Sequence, residues 1–379
     1  MLRKFMVTNY KNFRETLCVD FTKVHDYKYN EYCIRDNLIN KMIIYGKNAE
    51  GKSNLGSAIF DIVNDINYSR NPYFYRDDRH LYRNADTPDD EVVKFYYSFQ
   101  FENDIIIYEY NKINATTVVY EKLTVNDKII FYYDLLLDKY DFSNVVDINA
   151  EDLNWQEFIS SSTSINKTDV EETRPTALRY IIYNTIQNDG STISKLAKFI
   201  KGMRFTDSSS HRFPVRLNMA DYFETDEDLK RFENFLNNYG VKCNLILLEN
   251  VEGKKELYFD YKKPLHFTSN LSSGTMSLTR FYLQHLNKNK PSFIYMDEFD
   301  AFYHFELSEK IVELLEKEFE CQVVLTSHNT NLLSNSIMRP DCFMILNNGT
   351  LTPLCEATNR ELRQGHNLEK LYMNGEFDE

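Results

Sequence analysis

Apolar and polar positions change period several times along this chain, and each change predicts an element. In MLRKFMVTNYKNFRETLCVDF the two alternate on either side of a polar turn at residues 9–12, which predicts a β-hairpin entering a sheet. Residues 92–134 alternate again in four runs, VVKFYYSFQF, DIIIYEYNKI, TTVVYEKLTV and KIIFYYDLLL. Asx-rich breaks separate them, as in an antiparallel meander. The short run at 42–45 is apolar throughout and reads as a buried strand, and residues 55–66 read as a helix. Apolar strands are also predicted at 292–296 and in CQVVLTSHN, and an apolar helix at 276–286.

Between these lie segments of other character. Residues 72–91 are polar and charged, a predicted surface excursion, and 160–174 are polar with the composition of a flexible stretch. Pro175 is expected to open a helical stretch in the first-turn position, running to about Lys201. TDEDLKRFENFLNNYG carries Thr225 as N-cap, an acidic first turn and Gly240 at its end. Strands follow in CNLILLENV and KELYFDY, then a second α/β half to about residue 350. The expected division is an amino-terminal lobe over 1–150, a helical insertion over 151–240 and a carboxyl-terminal lobe over 241–379. No internal repeat or coiled-coil heptad run is visible.

Composition narrows the class. At 379 residues the chain can bury a large core. Tyr and Phe, 27 each, are as easily a product of AT-rich codons as of function. A net charge of −13 argues against a surface that coats DNA, though not against a local basic groove. The six cysteines form no C-x-x-C pair and are expected to be reduced residues of a cytoplasmic protein. No segment reads as a membrane span or signal peptide.

The chemistry begins at GKNAEGKSNL. Gly46, Gly51, Lys52 and Ser53 fit G-x-x-x-x-G-K-[ST] between a strand and a helix, the context a phosphate loop needs. Its glycines let successive backbone N–H groups face phosphate oxygens, and the helix start adds a positive dipole end. Lys52 would reach the β- and γ-phosphates and Ser53 would offer its hydroxyl to Mg²⁺. Glu50 must point outward or repel the nucleotide.

The carboxyl half supplies matching parts. PSFIYMDEFD ends a strand in Asp297 and Glu298. The first can hold the Mg²⁺ shell and the second can take a proton from an attacking water. An acidic loop capping the next helix would look the same; the phosphate loop upstream favours the catalytic reading. His328, ending a later strand, could donate to a γ-phosphate or be structural. Ser272, Ser273, Gly274 and Thr275 begin a helix and form a second possible anion site, or an ordinary hydroxyl cap. Because the phosphate loop has its own helix start, the economical arrangement is two chains, each lending this turn to the other's γ-phosphate.

In this order the P-loop, LSSGT, DE and SH motifs resemble the ABC-type ATPases of the SMC, RecF and OLD group, most closely single-chain bacterial AAA-type members. The resemblance covers most of the chain, with NYKNF, MDEFDAFYH, LTSHNTNLL and NLEKLYMNGEF also similar to family segments. It implies an α/β fold: an ABC-type P-loop NTPase head with a mixed sheet, an antiparallel β-subdomain and a helical insertion. It implies ATP and Mg²⁺ as cofactors. Gly46, Asn48, Gly51, Lys52, Ser53 and Asn54 would bind nucleotide, and Ser53 and Asp297 the metal. Glu298 would be the catalytic base and His328 the γ-phosphate sensor. Asp300 would lie in the D-loop, and Ser272, Ser273, Gly274 and Thr275 would act in trans. The departures are LSSGT in place of LSGGQ, Phe305 where a proline usually follows the His304 position, and no assignable Q-loop glutamine.

Members of this kind often serve anti-phage defence. The chain ends about fifty residues after His328, too few for the Toprim nuclease of OLD proteins. The expectation is an ATPase that dimerises around ATP, within a homodimer or higher homo-oligomer. It would be the scaffold or sensor subunit of an abortive-infection system, controlling a separate effector, a nuclease, in response to a phage-derived trigger. Nucleic-acid binding stays open. Alternatives are a RecF-like DNA repair ATPase, which should show a basic face, and a nucleotide-bound scaffold with little turnover.

Overall fold

The computed structural model describes residues 1–67, 82–88, 90–163, 175–207, 219–286 and 290–377. Strands apolar at nearly every position must be covered on both faces. Three of them, Lys41–Tyr45, Phe293–Asp297 and Gln322–Thr326, are buried at every residue. They sit inside a six-stranded sheet ordered Met203–Asp207, Phe293–Asp297, Gln322–Thr326, Lys41–Tyr45, Phe343–Asn347, Thr350–Pro353. The first five strands run parallel and the last pairs antiparallel. The register sets Thr326 beside Ile44 and Leu325 beside Met296. The carboxyl ends of the phosphate-loop strand, the acidic strand and the strand between them therefore emerge at one edge, where open α/β sheets bind ligands.

The alternating segments build a second, antiparallel sheet of seven strands. The four meander strands, Val93–Phe101, Asp104–Lys112, Val118–Val125 and Lys128–Asp134, continue into the hairpin Leu2–Thr8 and Leu17–Asp20. Its buried face is aromatic: Phe95 stacks on Tyr110 at 4.9 Å and Tyr97 lies parallel to Phe99 at 6.0 Å.

The helix after the phosphate loop, Lys52–Ile59, is held between the two sheets. On one side Tyr97 donates its hydroxyl to the carbonyl of Ala58 at 3.0 Å. On the other, Tyr295 donates to the carbonyl of Lys52 at 2.6 Å. Gly56 permits that approach, since a Cβ there would lie 2.5 Å from the ring of Phe205 and 2.6 Å from that of Tyr295. The loop and its helix are thereby fixed to the strand that carries Asp297.

Several elements differ from the sequence reading. The helix expected over 55–66 starts earlier, at Lys52, and breaks at Phe60 before Asp61–Ile66. Pro175 is not in a helical first turn. Thr176 caps the helix Ala177–Asn184 by accepting from the amide of Arg179 at 3.1 Å, which leaves the proline outside it. A separate helix, Thr192–Gly202, follows with Ser191 as its cap. The strand Met203–Asp207 falls inside the stretch read as helical insertion, so the central sheet takes strands from all three expected segments. The helix read as 276–286 starts at Ser273 and ends in a π-turn, Tyr282–Leu286. Asp226–Asn238 has the expected capping box at Thr225. Of the excursion read over 72–91, residues 72–81 and 89 lie outside the described residues, and Tyr82 is buried with its hydroxyl on Asp61 at 2.9 Å. Of the polar stretch 160–174, residues 164–174 lie outside them too. No helix among the described residues is long and apolar enough to cross a membrane.

Candidate active site

The buried strand Lys41–Tyr45 delivers the chain into the loop 46–51, which turns at Ala49 (φ 69°) and Gly51 (φ 103°) before the helix begins. Gly51 is needed twice over. Its φ lies in the left-handed region, and a Cβ there would collide with the side chains of Asn12 and Phe13. Lys52 folds back over the loop and donates to the carbonyls of Gly46 at 2.8 Å and Lys47 at 3.2 Å. Burial pulls its pKa down, while Asp297, Glu298 and Glu50 pull it up.

At the next strand but one, Ser53 donates its hydroxyl to Oδ2 of Asp297. The other oxygen, Oδ1, accepts from Thr326 Oγ1 at 2.7 Å. Asp297 is only 3% exposed, and burial raises its pKa against the opposing pull of these two hydroxyls. Glu298 stands next with φ 47°, a left-handed conformation that an L side chain adopts at a cost. Its amide donates to Thr326 Oγ1 at 2.8 Å.

A third set of contacts gathers the loop after strand Gln322–Thr326. Ser327 donates to Oδ2 of Asp300 at 2.6 Å and accepts from the amide of Asn329 at 2.8 Å. Burial raises the pKa of Asp300, and the Ser327 hydrogen bond and nearby His328 lower it. His328 itself is exposed. The structure therefore brings Lys52, Ser53, Asp297, Glu298, Asp300 and His328 to one sheet edge.

Ser272, Ser273, Gly274 and Thr275 form no hydrogen bond with that group among the described residues, and a Cβ on Gly274 would lie 3.1 Å from the carbonyl of Phe302. Ser272 caps the helix Ser273–Phe281 by accepting from the amide of Thr275 at 3.1 Å, and the two hydroxyls lie 2.8 Å apart. Ser272 and Ser273 are exposed. Behind the turn, Ser277 donates to the hydroxyl of Tyr303 at 2.9 Å, which ties the helix to the segment after Asp300.

Sequence reasoning missed two supports, one of the phosphate loop and one of the acidic pair. Asn12, at the hairpin turn, donates to the carbonyl of Glu50 at 2.9 Å and accepts from Asn54 Nδ2 at 2.7 Å. Asn54, read as a nucleotide ligand, is thus committed to the hairpin, while Asn48 is exposed in the loop. Glu50 does turn its carboxylate away, onto the backbone amide of Asn348 at 2.7 Å. Thr326 is the second missed support, bonded to Asp297 and to the amide of Glu298. NYKNF pointed to a turn at residues 9–12, but nothing local in the sequence shows that the side-chain amide of Asn12 lands on a loop thirty-eight residues away.

No cluster of three His, Cys, Asp or Glu among the described residues could hold a metal. The donor set of one hydroxyl and one carboxylate instead fits Mg²⁺, which keeps waters and takes substrate phosphates as its remaining ligands.

Residues 41–334 match the family model described as "AAA domain, putative AbiEii toxin, Type IV TA system". Similar solved structures include an Smc head bound to the C-terminal winged-helix domain of ScpA. It is 15% identical, with 93% of this chain and 96% of that chain covered and a TM-score of 0.46. The SMC head domain from Thermotoga maritima is 12% identical, with 93% and 98% covered and a TM-score of 0.41. An Smc head with an extended coiled coil, bound to the C-terminal domain of ScpA from Pyrococcus furiosus, is 14% identical, with 93% and 95% covered and a TM-score of 0.42. No curated protein matches the sequence.

Proposed function

The chain belongs to this AAA-domain family of ABC-type ATPases, and on that premise we propose that it binds ATP with Mg²⁺ and hydrolyses it. The observation that carries the reading is the Ser53–Asp297 hydrogen bond at the foot of the phosphate loop, with Glu298 as the next residue. Lys52 exchanges its two loop carbonyls for phosphate oxygens, and the amides of the loop and helix start hold the rest of the charge. Ser53 and Asp297 would hold a Mg²⁺ ion, which would supply neutralisation of the phosphate charge. Glu298 takes the proton of the attacking water, and His328 donates a hydrogen bond to the transferred group.

The Ser272–Thr275 turn, exposed at its two serines, serves a second copy of the chain. Its hydroxyls and helix N-terminus meet the γ-phosphate held by the partner, so ATP closes a dimer that hydrolysis reopens. Asp300, linked to Ser327, relays between the two sites. The family description names a toxin–antitoxin system, and this supports a role in abortive infection. In that role the ATPase is a cytoplasmic scaffold that restrains a separate effector, a nuclease, until phage infection. The test is phosphate release by the wild type, by Lys52→Ala and by Glu298→Gln, combined with recovery of the co-purifying effector. An ATPase-active chain that never recruits another protein would leave the enzyme standing and remove the scaffold role.

A further inference from the structure

We infer that Thr326 is the positioning residue of the acidic turn, an inference that rests on the ATPase reading. Thr326 ends the strand between the phosphate-loop strand and the acidic strand, and it is fully buried. Three consecutive residues of the turn hang on it. Its hydroxyl donates to Asp297 Oδ1 at 2.7 Å and accepts from the amide of Glu298 at 2.8 Å. Its carbonyl accepts from the amide of Phe299 at 3.2 Å.

The arrangement divides the labour at Asp297. One carboxylate oxygen goes to Thr326, which leaves the other facing Ser53 and the metal position. It also fixes where the base stands. Glu298 has φ 47°, and a left-handed non-glycine residue persists only where its surroundings hold it. The hydroxyl of Thr326 is what its amide finds there. β-Branching limits the χ1 freedom of Thr326, so the hydroxyl is presented in a set direction. A shift of about 1 Å in a catalytic group can cost roughly a hundredfold in rate, so the hydroxyl should matter for turnover more than for binding.

Thr326→Val keeps the shape and removes only the hydroxyl; Thr326→Ser keeps the hydroxyl. The wild type and both variants are compared for kcat, KM, equilibrium ATP affinity with and without Mg²⁺, and melting temperature without nucleotide. The inference expects kcat of Thr326→Val to fall roughly 10- to 100-fold with Mg²⁺-free ATP affinity within about threefold of the wild type. Thr326→Ser should recover most of the rate. Wild-type kcat in Thr326→Val would overturn the inference. So would a Ser variant as slow as the Val variant, or a rate loss that only tracks the melting temperature. A wild type that releases no phosphate refutes the ATPase reading itself, a result separable from the comparison of variants.

Discussion

Of the two lysines of the phosphate loop, Lys47 is exposed, while Lys52 folds back with two hydrogen bonds to carbonyls that a phosphate would replace. Lys52→Ala is expected to abolish ATP binding in a calorimetric titration; wild-type affinity would unseat the assignment of residues 46–53. Asn12 makes a subtler prediction. Asn12→Ala frees Glu50 O and Asn54 Nδ2, two hydrogen bonds each worth about 1 kcal/mol. ATP affinity should fall about tenfold with little change in melting temperature, because Asn12 is exposed. Unchanged affinity would show that the loop holds its shape without the hairpin. Lys52, Ser53 and Asp297 were legible in the sequence because their chemistry demands fixed spacing or a strand end. Asn12 and Thr326 were not. Each acts on a backbone group far along the chain, and only the fold determines which one.

At the scale of elements, the apolar strands at 42–45, 292–296 and in CQVVLTSHN and the alternating strands of the hairpin and meander were read correctly, since burial on two faces or one imprints directly on residue type; Phe343–Asn347 and Thr350–Pro353 were not singled out. The edge strand Met203–Asp207 was missed because it emerges directly from the helix Thr192–Gly202, and five residues are too few to show a period. It has a practical consequence: deleting residues 175–239 would strip an edge strand from the central sheet, so such a deletion cannot isolate the helices. A second element, Asp61–Ile66, ties the phosphate-loop region to the antiparallel sheet. Lys112 is fully buried and donates to Asp61 at 2.5 Å and Asp65 at 2.8 Å. One ammonium faces two carboxyls. Burial raises the pKa of Asp65 to about 7, with Asp61 adding to the rise and Lys112 opposing it. The folded pKa lies above the unfolded value of 3.8, so the fold favours the protonated form. That contribution is complete below about pH 4 and is lost as pH rises through about 7. The wild type should therefore lose more thermal stability than Asp65→Asn between pH 5 and 8. Equal slopes by calorimetry would contradict the shift.

For the whole molecule, the Ser272–Thr275 turn and the gathered Lys52–Glu298 group lie on one chain without a hydrogen bond between them among the described residues. The proposed dimer joins them across two copies. Glu298→Gln keeps size and hydrogen bonding, so ATP should bind and accumulate a closed dimer. Moving a pair from mostly open to mostly closed takes a differential affinity of about 5.5 kcal/mol, within reach of several charge-assisted hydrogen bonds to a γ-phosphate. Adding Gly274→Asp places a carboxylate against that phosphate and should abolish the ATP-dependent dimer in light scattering. If the dimer forms equally well, the turn does not act in trans. The most direct test of the account is release of inorganic phosphate from ATP with Mg²⁺, measured side by side for the wild type, Lys52→Ala and Glu298→Gln. The account predicts steady turnover by the wild type, none by Lys52→Ala, and a rate for Glu298→Gln lower by roughly 10²- to 10⁴-fold. Phosphate release by Glu298→Gln at the wild-type rate, or by the wild type no faster than by Lys52→Ala, would contradict it.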